Sequence, residues 1–236
     1  MGTRVDEERQ LPSAIRGLGL HAPRPVVVVV GGADGLEAAE RDRLRTIFRS
    51  AVIPVVQRFA AVGVDGGTRA GVMLLYGETR CEAHADFPLV GVVASATVRT
   101  CDESRQTEGQ SALLEPHHTH FIVVPGDRWG DEAPWIARTA TILAGHAASL
   151  TLLVNGGEIA YTDVQLSVDS GRPVVVLAGS GRAADVLAAA AAGRPPDARA
   201  ASLIHSGLVR SVPMDSPAAL AAVLTAILDE RERPSG

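Results

Sequence analysis

Val26-Val27-Val28-Val29-Val30-Gly31-Gly32 is the stretch on which the reading of the fold turns. Five β-branched residues without alternation read as a strand buried on both faces, and the glycine pair marks a sharp turn at its end. Short apolar runs over residues 61–64, 89–94, 120–124, 150–154, 173–177 and 209–212 predict further strands. Helical spacing predicts helices over 36–61, 69–81, after Asp131, over 159–170 and 182–192, and from Ser216-Pro217 onward. In the first of these Leu44, Ile47, Phe48, Ala51 and Val55 share a face, and Pro54 predicts a kink or break. Residues 95–112 and 194–200 read as loops. Strands alternating with helices throughout predict a Rossmann-like, doubly wound α/β fold, with a mainly parallel sheet and helices on both faces.

The bulk numbers fit one large α/β domain. The chain has 236 residues, 46% hydrophobic and 21% charged. Residues 1–24 show little periodicity and read as a leader; residues 25–232 read as the domain. All 22 basic residues are Arg, so a bound phosphate must be met by Arg, backbone N–H groups or hydroxyls. A net charge of −5 without a basic stripe argues against a nucleic-acid partner. The charged start lacks a signal-peptide core, and no apolar run reaches the roughly 18–20 residues of a membrane span. A cytoplasmic location follows as the expectation, with Cys81 and Cys101 as reduced thiols.

Four small-residue turns each follow a predicted strand and precede a predicted helix: Gly31-Gly32, Gly66-Gly67-Thr68, Asn155-Gly156-Gly157 and Gly179-Ser180-Gly181. In an open parallel sheet such turns lie along the carboxyl edge, where ligands bind near the strand-order switch. Glycine lets backbone approach a phosphate, and helix N-termini aim N–H groups at it. Arg69 and Arg182 stand at two of the helix starts, where a cation opposes the helix dipole unless an anion is bound. The turn residues with Arg69, Glu158 and Arg182 are therefore the candidate ligand-binding set. No G-x-G-x-x-G follows the first strand and no G-x-x-x-x-G-K-[ST] exists, which argues against an ordinary NAD dehydrogenase and a P-loop NTPase. His117, His118 and His120 lack partners at metal-ligand spacing and read as structural or loop-orienting; no metal is expected. Trp129 and Trp135 flank a turn and read as packing, with stacking on a base as the alternative.

Three segments carry a family resemblance. Leu114-Glu115-Pro116-His117-His118-Thr119-His120-Phe121, Asn155-Gly156-Gly157-Glu158 and Gly179-Ser180-Gly181-Arg182-Ala183-Ala184-Asp185-Val186-Leu187 resemble the N-terminal cytosolic domain of TRPM-type channels. Val30-Gly31-Gly32 and Gly66-Gly67-Thr68 match in order upstream, and the likeness spans roughly residues 24 to 230. The chain is similar to a free-standing prokaryotic version of that domain (LSDAT), in the SLOG superfamily that also holds LOG-type nucleoside-phosphate hydrolases. The resemblance implies a Rossmann-like fold and a nucleotide-derived ligand such as ADP-ribose, with no required cofactor.

The leading expectation is thus a ligand-binding or sensing domain. The alternative is a LOG-like phosphoribohydrolase cleaving the N-glycosidic bond of a nucleoside 5′-monophosphate. LOG enzymes carry P-G-G-x-G-T-x-x-E; here the stretch runs Asn155 to Asp163, so Glu158 or Asp163 would replace the family's glutamate. A third reading is an assembly subunit, as a homo-oligomer or with a separate effector protein.

Overall fold

The computed structural model describes residues 1–32, 37–99, 111–194 and 197–230. The strands are β1 (Gly2–Arg4), β2 (Val26–Gly31), β3 (Val62–Asp65), β4 (Leu89–Ala94), β5 (Val98–Arg99), β6 (Ala112–Leu113), β7 (His120–Val124), β8 (Ser149–Val154), β9 (Val174–Ala178) and β10 (Val209–Pro213). The helices are α1 (Leu11–Gly17), α2 (Ala38–Ile47), α3 (Ile53–Arg58), α4 (Gly71–Glu82), α5 (Ala133–Ala144), α6 (Glu158–Asp169), α7 (Arg182–Ala191), α8 (Ala198–His205) and α9 (Pro217–Glu230). Eight strands form one sheet in the order β1-β7-β4-β3-β2-β8-β9-β10. Every pairing in it is parallel. The doubly wound, Rossmann-like α/β reading therefore holds.

The valine run explains the layering. Val26, Val28 and Val30 enter one core with residues of α1, α5, α6, α7 and α8. Val27 and Val29 enter the other core with residues of α2, α3, α4 and α9. Alternate side chains of a strand point to opposite faces, so an unbroken valine run can only be buried by helices on both sides. Each fully buried valine contributes about 1.5–3 kcal/mol of transfer free energy.

Several local expectations are corrected. Residues 1–24, expected as a leader, pack into the fold: β1 pairs with β7 in parallel, and Val5, Leu11 and Ile15 are buried. The break expected at Pro54 is present: the long first helix is divided into α2, a π-turn at Phe48–Val52 and α3, with Pro54 in the first turn of α3. Proline lacks an N–H and crowds the carbonyl four residues back, so the backbone widens just upstream. Of the loop expected over 194–200, residues 195–196 lie outside the described residues, and the end belongs to α8: Asp197 caps it by accepting from Ala200 N at 2.7 Å, and Ala200 and Leu203 are buried. The loop expected over 95–112 carries the β5–β6 ribbon, and its residues 100–110 lie outside the described residues, as do 33–36 of the first glycine turn.

Candidate ligand-binding cleft

The strand order reverses at β2: the chain leaves toward β3 and β4 and later returns to β8 on the other side. A crevice opens where crossovers on either side of a reversal diverge. At that point lies a cleft of about 490 Å³. Its floor is the end of β2 with Gly31 and Gly32, joined by Gly66 and Thr68 from the β3 turn. Ala70 and Met73 at the start of α4 form one wall. Trp129, Glu132 and Ile136 of the α5 region and Gly157, Ile159 and Asp163 of the α6 region form the other. Glu158 and Arg182 complete the lining together with Ser111 and Ala112.

Gly31, Gly32, Gly66, Thr68, Gly157, Glu158, Asp163 and Arg182 thus come together around one space. Gly67, Arg69, Asn155, Gly156, Gly179, Ser180 and Gly181 do not line it. Arg69 is exposed, and its N–H donates to Leu113 O at 2.7 Å. Gly67 packs on Gly91, where a Cβ would fall 2.7 Å from the Gly91 Cα. The remaining five stitch the β8 and β9 turns together. Asn155 N donates to Ser180 Oγ at 2.8 Å, Ser180 Oγ donates to Leu177 O at 2.6 Å, and Gly179 N donates to Asp185 Oδ1 at 2.6 Å. Ala183 N and Ala184 N donate to Gly156 O and Asn155 O.

That stitching aims Arg182. The residue follows Gly181 with φ of +49°, in the left-handed region that a long side chain seldom occupies. Its guanidinium lies over Gly157, where a Cβ would stand 2.8 Å from Nη2. Gly157 is needed there for close approach. Gly31 is needed for a different reason: a Cβ would fall 2.1 Å from Val154 O of the neighbouring strand.

The two candidate acids behave differently. Glu158 is held below the usual carboxylate range by Arg199, which grips it through both terminal nitrogens while stacking 3.7 Å over the Tyr161 ring centroid. Asp163 lines the cleft partly exposed, and desolvation, then the Glu132 charge, push it up to about 7. Burial also raises Glu132, against the hydrogen bond that Gly130 N donates to it at 3.0 Å. Sequence reasoning missed Glu132, because neighbouring Asp131 is the better N-cap type. Asp131 instead closes the preceding turn, accepting from Asp127 N and Arg128 N at 2.9 and 3.0 Å. Glu132 takes the cap position of α5.

A buried ionic network anchors the β3 turn beneath Thr68. His118 donates Nε2–H to Asp65 Oδ1 and Nδ1–H to Glu115 Oε2, each at 2.7 Å. Asp65 Oδ1 also accepts from Gly67 N at 2.7 Å, and His117 Nδ1 meets Glu115 Oε1 at 2.6 Å. Burial alone would lower His118, but the carboxylates of Asp65 and Glu115 outweigh it and raise the imidazole to about 9. Burial would raise Glu115, and hydrogen bonds from His118 and His117 reverse that. The histidine motif therefore locks the segment 114–119 to the glycine turn that floors the cleft.

A family model, SLOG in TRPM, prokaryote, matches residues 24–222. The rat transient receptor potential cation channel subfamily M member 2 is 27% identical over 209 residues, covering 74% of this chain and 14% of the channel. The mouse counterpart is 28% identical over 208 residues, covering 72% and 13%. A Nematostella vectensis member-like 2 protein is 29% identical over 206 residues, covering 71% and 13%. The chain thus spans about one seventh of the length of these relatives. Among solved structures, the X-ray structure of TM1055 overlays with a TM-score of 0.53 at 18% identity, covering 84% of this chain and 99% of that one, a likeness of fold. No helix among the described residues is long and apolar enough to cross a membrane. With the family model matched over most of its length, the chain belongs to the prokaryotic family of SLOG domains found in TRPM.

Proposed function

We propose that the cleft binds a nucleotide-derived ligand, with a phosphate seated against the backbone of Gly157 and the guanidinium of Arg182. One observation carries the reading: turns from β2, β3 and β8 and the Arg182 side chain converge on a single space at the strand-order switch. Thr68 supports it. Its residue is 2% exposed, it lines the cleft, and its hydroxyl has no hydrogen-bond partner among the described residues. A buried hydroxyl without a partner costs about 1–3 kcal/mol, which a ligand oxygen would relieve. The cleft volume falls within the roughly 300–1,000 Å³ of small-molecule sites. ADP-ribose, AMP, cyclic ADP-ribose and NAD are the first probes, following the family resemblance. At ~100 times its dissociation constant a ligand stabilises the fold by about 2.7 kcal/mol. A thermal-shift screen should show that gain for at least one probe, and Arg182→Ala should reduce it. No response to any of the four removes the reading.

A second reading has its own motive. Asp163, with its carboxyl raised to about 7, can hold and release a proton near neutrality. An N-glycosidic hydrolase needs such a group beside the departing base. Water would add across the C1′–N bond of AMP, yielding adenine and ribose 5-phosphate. Release of adenine that disappears in Asp163→Asn would support this; no base from any purine or pyrimidine monophosphate would end it.

A further inference from the structure

Arg199 stands in the first turn of α8, where a cation opposes the helix dipole. Asp197 already caps that turn through Ala200 N, so the arginine does nothing for the helix start. Its guanidinium is committed to α6 instead. Both terminal nitrogens donate to the Glu158 carboxylate, Nη2 to Oε2 at 3.1 Å, and its central carbon lies 3.7 Å from the ring centroid of Tyr161, one turn along α6. The Glu158 side chain is 79% exposed, and ion pairs so open to water add little to stability. What the grip does settle is where the carboxylate points. Glu158 is the first residue of α6, directly after Gly157, and it lines the cleft together with Arg182. The Arg182 guanidinium lies so close to Gly157 that a Cβ there would stand 2.8 Å from Nη2. A carboxylate at a helix N-terminus is attracted by the N–H groups and the positive dipole end of that helix. Glu158 is therefore an anion of the chain's own, tethered one residue from the place proposed for phosphate.

We propose that Arg199 is a positioning residue that turns the Glu158 carboxylate outward onto the rim, and so keeps the chain's own anion from competing with ligand phosphate at Gly157 and Arg182. The inference rests on the nucleotide-binding reading and deepens it, by adding a residue that lies outside the cleft lining. The stack on Tyr161 fixes the guanidinium beside α6, and the two-point contact then fixes both carboxylate oxygens there. With Arg199 removed, the carboxylate swings back over Gly157. It then repels an incoming phosphate and takes up the positive charge at Arg182 and at the start of α6. The affinity of the cleft for anions thus depends on a contact made on its outer edge, between α6 and α8.

The test is isothermal titration of AMP and ADP-ribose into wild-type protein, Arg199→Ala, Arg199→Gln and the double variant Arg199→Gln/Glu158→Gln. Arg199→Ala should weaken the probe that wild type binds by about fivefold, the effect of one unit charge at about 4 Å in water. Arg199→Gln keeps a stem to lie on Tyr161 but carries no charge, and it should lose as much. Removing the carboxylate as well, in the double variant, should return affinity to within about twofold of wild type. A merely structural role for Arg199 in seating α8 would leave the double variant as weak as the single one. That result, or wild-type affinity in both single variants, overturns this proposal and leaves the binding reading intact. Binding of neither probe to wild-type protein overturns both.

Discussion

Asp163→Asn should stabilise the protein, and increasingly so as pH rises. The folded chain holds Asp163 up to about 7 against an ordinary 3.8, through desolvation and then Glu132. Between those values the native state keeps a proton that the unfolded chain has lost. The unfolded state binds fewer protons, so stability falls as pH climbs from about 4 to about 7 and then levels. At 1.36 kcal/mol per unit the full shift is worth about 4 kcal/mol; water in the open cleft reduces that to about 2 kcal/mol. Asparagine carries no charge and escapes the penalty. For a chain of this size about 2 kcal/mol corresponds to a Tm increase of about 4–8 °C. Thermal melts followed by circular dichroism at pH 4 and pH 8 measure it. The variant should gain that increment at pH 8 and only a small part of it at pH 4. A variant less stable than wild type at pH 8, or equally shifted at both pH values, would refute the reasoning.

The buried network makes the next prediction. His118→Gln leaves Asp65 and Glu115 as facing buried carboxylates and should cost about 3–5 kcal/mol in urea unfolding at pH 6. With His118 raised to about 9, its contribution is complete below about pH 6.5 and is lost as pH rises through about 9, so the gap to wild type should narrow at pH 9.5. Gly77→Ala would place a Cβ 2.0 Å from Glu115 Oε2 and should cost about 1–3 kcal/mol by the same assay. Glu158→Gln should leave AMP affinity within about twofold, whereas Arg182→Ala should weaken it about tenfold or more by titration calorimetry.

The layered fold was legible because its signal is dense. An unalternating valine run needs cover on both faces, and strand-glycine-helix repeats admit few topologies. What escaped reading depends on contacts far along the chain. β1 is three residues long, with Gly2 and Arg4 exposed, and only its pairing with β7 makes it a strand. α8 buries just Ala200 and Leu203, and the prolines before it look like loop. The site was partly legible for the same reason. All four turns carry similar residues, but strand order decides which of them face the switch. The β9 turn lies one strand beyond β8, so Gly179, Ser180 and Gly181 brace Arg182 rather than line the cleft. Glu132 carried no local signal at all, since its meaning comes from Asp163 across the α5–α6 junction.

Diffraction from crystals soaked in ADP-ribose tests the central claim most directly. The account predicts phosphate density within hydrogen-bonding distance of Gly157 and Arg182, with the ligand extending toward Thr68 and Asp163. A ligand seated elsewhere, on exposed Arg69 for instance, or an empty cleft at saturating ADP-ribose, AMP and NAD, would contradict it.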